Sequence, residues 1–212
     1  MIESKFILGD CMDPETGLPA YPDNYFDLAI VDPPYGINQF AHKANSRNKA
    51  AKRGQYGNPK WDSSIPDYEY FLELQRVSKD QIVWGNNYFG LKGGALVWDK
   101  NGSWFSDGEI AYCSKITGVR FCRFTWNGMI QQDMANKEHR IHPTQKPVAL
   151  YRWLLENYAK PGDLILDTHV GSASSLIACE SMGFNYVGYE IDPEYYEAAK
   201  KRMEKGIQLV MI

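Results

Sequence analysis

Leu28-Ala29-Ile30-Val31-Asp32-Pro33-Pro34-Tyr35-Gly36 is an apolar run that stops at an acid, two prolines, an aromatic ring and a glycine. The apolar part predicts a buried β-strand over residues 26–31. Proline favours an extended conformation in the residue before it, so we expect Asp32 at the carboxyl end of that strand. Ligands of open α/β sheets bind at that end. An ordinary proline turn remains the alternative for this stretch.

The turn at residues 32–36 is predicted to present hydrogen-bond acceptors. Neither proline carries an N–H donor, so the Asp32 carboxylate and the neighbouring carbonyl groups face the crevice together. A surface of acceptors suits an NH2 group. Tyr35 adds a flat ring that suits stacking on a planar heterocycle.

Length and composition predict a single globular domain over residues 1–212, since 44% of the residues are hydrophobic and 14% are aromatic. We expect a cytoplasmic protein without a membrane span, because no apolar run approaches about 18 residues and no export signal is evident. The cysteines are scattered and predict reduced thiols, with no disulfide framework and no metal site; they are Cys11, Cys113, Cys122 and Cys179.

A basic loop, residues 36–61, follows the turn. The net charge of −3 argues against a general polyanion binder, yet no acid lies between Asp32 and Asp62. We predict that the loop is a lid that binds DNA, and a solvated surface loop is the alternative. Its predicted DNA-binding residues are Lys43, Arg47, Lys49, Lys52, Arg53 and Lys60.

The order of predicted elements indicates an α/β fold. Residues 64–79 predict a helix and residues 80–84 the next strand. In the last third, residues 163–167, 172–182, 186–190 and 193–205 predict strand, helix, strand and helix. Such alternation favours a mostly parallel sheet covered on both faces. Residues 109–114 and 119–126 predict an antiparallel hairpin at one edge.

A second candidate site lies in the turn after residues 163–167. Gly171 and the small residues around it allow a ligand to approach the backbone at a helix N-terminus. Glu190, at the end of the following strand, is where a doubly wound fold binds ribose hydroxyls. The pair predicts a nucleoside-bearing cofactor, although a purely structural turn followed by a surface glutamate remains open.

Three segments together resemble the amino-group (N6-adenine or N4-cytosine) DNA methyltransferases. They are Asp32-Pro33-Pro34-Tyr35, His142-Pro143-Thr144-Gln145-Lys146-Pro147 and residues 163–178. The catalytic motif precedes the cofactor motif, as in the permuted β-type members, and the chain is similar to small phage or prophage enzymes without a separate target-recognition domain. The resemblance implies a Rossmann-like fold with a mostly parallel seven-stranded sheet. It also implies S-adenosylmethionine as cofactor, S-adenosylhomocysteine as product and double-stranded DNA as partner, and it leaves a homodimer open.

The resemblance also implies roles for individual residues. The catalytic residues would be Asp32, Pro33, Pro34 and Tyr35. Asp10 and Cys11 would contact the adenine side of the cofactor, and Thr144 and Lys146 would close over its methionine end. The remaining cofactor residues would be Asp32, Asp167, His169, Gly171, Ser172, Ala173, Glu190 and Ile191.

Residues 167–174 match the cofactor loop of that family, and this loop departs from the family pattern at three positions. Thr168 and His169 replace a Pro-Phe pair, and Ala173 replaces a glycine. We expect His169 to be a packing substitute for the phenylalanine rather than an acid or base.

The resulting hypothesis is a site-specific methyltransferase of a restriction–modification type that acts on the N6 amine of adenine. Asp32 stands where N4-cytosine enzymes more often have serine, which favours adenine. An N4-cytosine enzyme and a non-catalytic DNA- or nucleotide-binding relic remain the alternatives.

Overall fold

Eight strands form one sheet in the part of the chain that the structure describes. This computed structural model describes residues 3–37, 62–102, 106–126 and 130–210, with the backbone alone for 206–210. The strands are β1 (Lys5–Leu8), β2 (Phe26–Val31), β3 (Ser78–Trp84), β4 (Gly94–Asp99), β5 (Gly108–Cys113), β6 (Val119–Arg123), β7 (Leu164–Asp167) and β8 (Asn185–Glu190). Their spatial order is β1-β8-β7-β2-β3-β5-β4-β6, and every neighbouring pair is parallel except the two that contain β5. The predicted α/β class is confirmed, with eight strands instead of seven.

Helices cover both faces of this sheet. They are α1 (Tyr68–Val77), α2 (Asn86–Phe89), α3 (Val148–Tyr158), α4 (Ser174–Met182) and α5 (Pro193–Val210), with a 3-10 turn at Leu18–Ala20. Leu28 and Ile30 share a core with residues of α3 and α4, whereas Ala29 and Val31 share a second core with residues of α1. Because alternate residues of β2 enter two different cores, its last four residues are all apolar. Within the described ranges, no helix combines the length and apolarity that crossing a membrane requires.

Two helix boundaries differ from the prediction. The helix expected over residues 64–79 begins at Tyr68, and β3 already starts at Ser78. Its apolar positions end at Val77, after which the chain pairs with β2 through Ser78 and Phe26. The last helix continues to Val210, beyond the predicted end at residue 205.

The predicted hairpin between residues 109–114 and 119–126 is wrong. β5 pairs antiparallel with β3 and β4, so both of its edges are occupied, and β6 pairs parallel with β4. The connection from β5 to β6 crosses the start of β4, where a Cβ on Gly94 would lie 2.2 Å from the Ile116 carbonyl oxygen. Glycine at this position permits the crossing. A local alternating pattern predicts that a strand exists, but it does not reveal the strand's neighbours.

The direction of chain progression reverses between β7 and β2. β7 leads through α4 to β8 on one side, and β2 leads through α1 to β3 on the other. Such a switch point opens a crevice at the carboxyl ends of the strands. Asp167 ends β7 and Asp32 follows β2, so the two acids belong to neighbouring strand ends at this crevice.

Candidate active site

Two cavities lie at this edge of the sheet. The first has a volume of about 370 Å³ and the second about 500 Å³, and they share Pro34, Ser64 and His169 as lining residues. Other predicted site residues that line the first cavity are Asp32, Thr144, Lys146, Gly171, Ser172, Glu190 and Ile191. The second cavity is lined by the predicted pair Asp10 and Cys11. The fold therefore brings the segment predicted to be catalytic and the segment predicted to bind a cofactor to one site.

Some predicted residues lie elsewhere. Pro33, Tyr35, Asp167 and Ala173 are absent from the lining of both cavities, although each lies within a segment that lines one. The six basic residues assigned to DNA binding, Lys43, Arg47, Lys49, Lys52, Arg53 and Lys60, lie outside the described residues.

Asp32 is held by hydrogen bonds on both of its carboxylate oxygens. The Tyr35 hydroxyl donates to Oδ1 at 2.5 Å and the Lys146 ammonium donates to Oδ2 at 2.5 Å. The side chain is 16% exposed. Burial raises the pKa of Asp32 and Glu109 adds to this, while the Lys146 ammonium opposes them.

The backbone of the same turn is fixed by an acid that sequence reasoning missed. Asp62 Oδ1 accepts the backbone N–H of Tyr35 at 2.8 Å and that of Gly36 at 2.9 Å. Asp62 is buried, at 3% exposure. The only signal in the sequence was its position as the first acid after a long acid-free window.

The Tyr35 ring has partners within the protein. It stacks on Tyr88 with ring centroids 4.9 Å apart and an interplanar angle of 19°. A Cβ on Gly85 would lie 2.2 Å from Tyr35 Cε1, so only glycine leaves room for the ring there. One face of the Tyr35 ring therefore contacts Tyr88, and the Tyr35 hydroxyl contacts Asp32. Stacking of the other ring face on a base stays a prediction.

Lys146 bridges two carboxylates. Its ammonium lies 2.5 Å from Asp32 Oδ2 and 3.0 Å from Glu109 Oε2, with its side chain only 2% exposed. Burial disfavours charge on Lys146, but the two carboxylates outweigh it and raise its pKa. The resemblance placed Lys146 at the methionine end of a cofactor; it does line the first cavity, but its ammonium is bound to Asp32.

Glu109 is a second acid that the sequence did not single out as functional. It lies near the start of β5, and because β5 runs opposite to its neighbours, that start lies at the carboxyl edge of the parallel strands. Burial opposes ionisation of Glu109, but Lys146 and Lys100 lower its pKa to about 2. An acid at the start of the antiparallel strand was the available signal.

The cofactor loop holds the Glu190 carboxylate from two sides. Glu190 Oε2 accepts the Gly171 N–H at 2.7 Å, and Oε1 accepts the Asp192 N–H at 2.9 Å. Gly171 has a φ of +54°, in the region that favours glycine. Burial raises the pKa of Glu190. An oriented buried carboxylate beside a tight glycine turn, in a cavity that also contains Asp32, fits a nucleoside-bearing cofactor.

Asp167 stabilises the cofactor loop by accepting hydrogen bonds from it and from α4. Its Oδ1 accepts the His169 N–H at 3.0 Å and its Oδ2 accepts the Ser175 hydroxyl. Burial raises the pKa of Asp167 to about 7, against the effect of these two donors. With 2% exposure it acts on the loop and α4 rather than on the cavities.

The three departures from the family pattern are accommodated by packing. The Thr168 hydroxyl lies 2.7 Å from the Tyr70 hydroxyl and 2.9 Å from His169 Nδ1. The His169 ring packs edge-on against Tyr70 at 5.4 Å, and burial lowers its pKa to about 4, so the imidazole is neutral near pH 7. Ala173 has a φ of +62°, a conformation that glycine adopts more readily.

Arg202 on α5 connects the cofactor loop to the segment that carries Lys146. It donates to the Ser172 carbonyl at 2.5 Å and forms an ion pair with Glu138 at 2.5 Å. Glu138 also accepts the Val148 N–H at 3.0 Å. No sequence motif signalled this link, because its three parts are far apart in the chain. Among the described residues, no group of histidines, cysteines and acids could hold a metal ion.

Solved structures share this architecture. The M1.HpyAVI–SAM complex aligns with a TM-score of 0.59 and 20% identity, covering 95% of this chain and 100% of that one. The PvuII DNA methyltransferase (cytosine-N4-specific) aligns with a TM-score of 0.58 and 14% identity, covering 99% of this chain and 92% of that one. At these identities the likeness shows the fold, which is that of S-adenosylmethionine-dependent methyltransferases.

Sequence comparison gives the family. The N6/N4 methyltransferase family model, described as DNA methylase, matches residues 52–201. "Putative methylase YubD" of Escherichia coli (strain K12) is 26% identical over 221 residues, covering 94% of this chain and 90% of that protein. Type II methyltransferase M.HinfI of Haemophilus influenzae is 21% identical over 253 residues, covering 95% and 68%. The chain therefore belongs to this DNA methylase family, whose members transfer a methyl group from S-adenosylmethionine to amino groups in DNA.

Proposed function

We propose that this protein methylates the exocyclic N6 amine of adenine in double-stranded DNA, at a specific sequence and in the cytoplasm. The observation that carries the proposal is the position of the Asp32 carboxylate in the same cavity as Gly171 and Glu190. An acceptor for an amine and a site for a nucleoside cofactor are then within one enclosure.

Asp32 and the Pro33 carbonyl would accept hydrogen bonds from the target NH2 group. The lone pair of such an amine is delocalised into the ring, and two acceptors in fixed positions favour a pyramidal nitrogen whose lone pair is free to attack. An aspartate is too weak a base to deprotonate a neutral amine beforehand. Asp32 therefore accepts hydrogen bonds first and takes up a proton after the new bond has formed, and its burial makes it a better proton acceptor than an exposed aspartate.

The residues around the two cavities would hold the cofactor. Glu190 is suited to ribose hydroxyls, and the Gly171–Ser172 turn allows close approach of the backbone. Asp10 and Cys11 line the second cavity on the side assigned to the adenine. When bound, S-adenosylmethionine supplies the electrophilic methyl group.

The choice of adenine over cytosine is supported by Asp32 itself. A full carboxylate is present at the first position of the tetrad, where the resemblance associates serine more often with N4-cytosine enzymes. The fold match to a cytosine-N4-specific enzyme does not oppose this, because at 14% identity it concerns architecture alone.

Access to the amine in a duplex requires the base to leave the stack. We assign Lys43, Arg47, Lys49, Lys52, Arg53 and Lys60 to the phosphates around the extruded base, from the concentration of positive charge in the basic loop. A homodimer would present two such loops to one duplex.

Mass spectrometry of nucleosides tests the proposal. Unmethylated duplex DNA is incubated with the protein and S-adenosylmethionine, digested to nucleosides and analysed for N6-methyladenine and N4-methylcytosine. We expect N6-methyladenine with the wild type and none with Asp32→Ala, which should still bind the cofactor. Exclusive formation of N4-methylcytosine would overturn the adenine assignment, and equal yields from both proteins would overturn the role of Asp32.

A further inference from the structure

The Lys146 ammonium has a hydrogen-bond acceptor within the protein for each of its three donors. Its donors reach Asp32 Oδ2 at 2.5 Å, Glu109 Oε2 at 3.0 Å and the Tyr35 hydroxyl at 3.3 Å. The nitrogen also lies 5.4 Å from the centroid of the Trp84 ring and 5.8 Å from that of Tyr35. An ammonium has three donors, so this lysine holds none in reserve for a ligand. Its contacts suit a cation that acts on Asp32.

Lys146 and Glu109, the two ends of this ion pair, are each held by a different part of the chain. The Ser174 hydroxyl at the start of α4 donates to the Lys146 carbonyl at 2.7 Å, which ties the lysine backbone to the cofactor loop. Glu109 Oε1 accepts from Lys100 at 2.5 Å, so the far carboxylate has a partner of its own. The folded chain therefore fixes the position of the ammonium from both ends.

Asp32 needs a positively charged partner because it is mostly buried. A carboxyl group in a mostly buried site tends to become neutral, and a neutral acid accepts hydrogen bonds less strongly than a carboxylate does. Among the described residues, the charged and titratable groups that interact electrostatically with Asp32 are Lys146, Glu109, Tyr35, Asp167, Tyr70 and Tyr151. Lys146 is the single cation in that set.

We propose that Lys146, held in place by Glu109, is a positioning residue that orients Asp32 and keeps it in the carboxylate form needed to accept the target amine. The inference rests on the proposed function for its purpose, but the effect of Lys146 on Asp32 is a property of the protein without DNA or cofactor. Tyr35 and Lys146 each occupy one oxygen of Asp32, and each oxygen retains acceptor capacity for the amine.

Lys146 and Glu109 should act on Asp32 with opposite signs. Removing the ammonium removes the charge that favours ionised Asp32, so the pH midpoint of Asp32 should rise. Removing the Glu109 charge takes away a repelling anion, so the midpoint should fall while Lys146 keeps its contact with Asp32. A merely structural role for either residue predicts no shift of opposite sign.

Carbon-13 NMR of aspartate carboxyl groups measures this directly in the full chain. Asp32 is assigned as the signal that is missing in Asp32→Asn, and its titration is followed in the wild type, Lys146→Met, Lys146→Arg and Glu109→Gln. We expect a higher midpoint in Lys146→Met, a lower one in Glu109→Gln and a return towards the wild-type value in Lys146→Arg, which restores the charge. Lys79→Met is the matched control, because Lys79 pairs with Asp27 in an exposed ion pair. This control should leave the Asp32 midpoint unchanged.

Methyl-transfer rates then connect the effect to activity. In Lys146→Met, we expect the acid limb of the pH profile to move to higher pH, with kcat roughly 10²-fold lower near neutral pH and partial recovery in alkaline buffer. An unchanged Asp32 midpoint in Lys146→Met, or in Glu109→Gln if the first variant does not fold, would overturn the inference. Absence of transfer by the wild type would refute the proposed function instead, and the NMR result would still decide the effect of Lys146 on Asp32.

Discussion

Asp32 follows β2 and Asp167 ends β7, and these two strands are parallel neighbours. Burial raises the pKa of both acids. Asp32 lines a cavity and bonds to a tyrosine hydroxyl and a buried ammonium. Asp167 bonds to a serine hydroxyl and a backbone N–H, and it lines neither cavity. The two sites share residue type and strand position, so their partners determine which acid can act on a ligand and which one holds a loop.

The turns that follow the two acids also differ. The turn after β2 has Gly36 at a φ of +69°, whereas the turn after β7 has Ala173 at +62°. Both residues adopt the left-handed conformation, in which a Cβ is unfavourable. The turn after β2 therefore has the residue that suits its backbone, and the turn after β7 carries a small strain at Ala173.

The largest expected effect is a difference in kcat between two variants in which an acid is replaced by the amide of the same shape. Asp32→Asn should lower kcat for methyl transfer roughly 10³-fold or more, because the amide supplies neither a carboxylate acceptor nor a proton acceptor. Asp167→Asn should keep kcat within about tenfold, because an amide still makes hydrogen bonds to the loop. Steady-state kinetics on duplex DNA, with calorimetry of S-adenosylmethionine binding, measures both.

Calorimetry also provides the control for this comparison. Asp32→Asn should bind S-adenosylmethionine with nearly wild-type affinity, which would separate a loss of chemistry from a loss of fold. Similar losses of kcat in the two variants would contradict the division of roles between these acids.

Local sequence pattern was enough to predict which strand ends meet at the candidate site. Asp32 and Glu190 each lie at the end of an apolar strand, and the turn at Gly171 follows another, so their meeting at one sheet edge follows from a parallel α/β topology. Glu109 was missed because its position depends on β5 running against the other strands. The pairing of β5 was itself assigned wrongly from local alternation.

Long-range partners were equally invisible in the sequence. Lys146 contacts Asp32 across a sequence separation of 114 residues, and Asp62 fixes a turn 27 residues away from it. Spacing along the chain contains no information about such contacts, because they depend on how several elements pack together.

The next effect in size concerns the pH dependence of stability. The pKa of Asp167 is about 7 in the folded protein and near 3.8 in the unfolded chain. The folded state therefore binds more protons between these values, and the contribution of Asp167 to stability is present below about pH 4 and lost as the pH rises through about 7. Between about pH 4 and pH 7, Asp167 should lower the free energy of unfolding by an amount on the order of 2–4 kcal/mol. Replacing it with asparagine should remove this loss.

Urea unfolding of the wild type and Asp167→Asn at several pH values measures this difference. The comparison of the two proteins is necessary because His142 and His169 act in the opposite sense. Burial lowers their pKa values to about 3 and about 4, so their contributions to stability are lost as the pH falls. A constant difference in unfolding free energy between pH 4 and pH 7 would contradict the raised pKa of Asp167.

The smallest effect sharpens the contrast between the two turns. Ala173→Gly relieves a left-handed alanine, worth about 1–2 kcal/mol, but it also removes a buried methyl group worth about 0.8 kcal/mol. We expect a net gain of roughly 0.5 kcal/mol in the free energy of unfolding. Gly36→Ala should instead lose stability, because its Cβ would lie 3.0 Å from the Ile65 backbone nitrogen and its φ is positive. If urea unfolding showed both changes to be destabilising, the buried methyl of Ala173 would outweigh its strain, and alanine would be the residue that this cofactor turn requires.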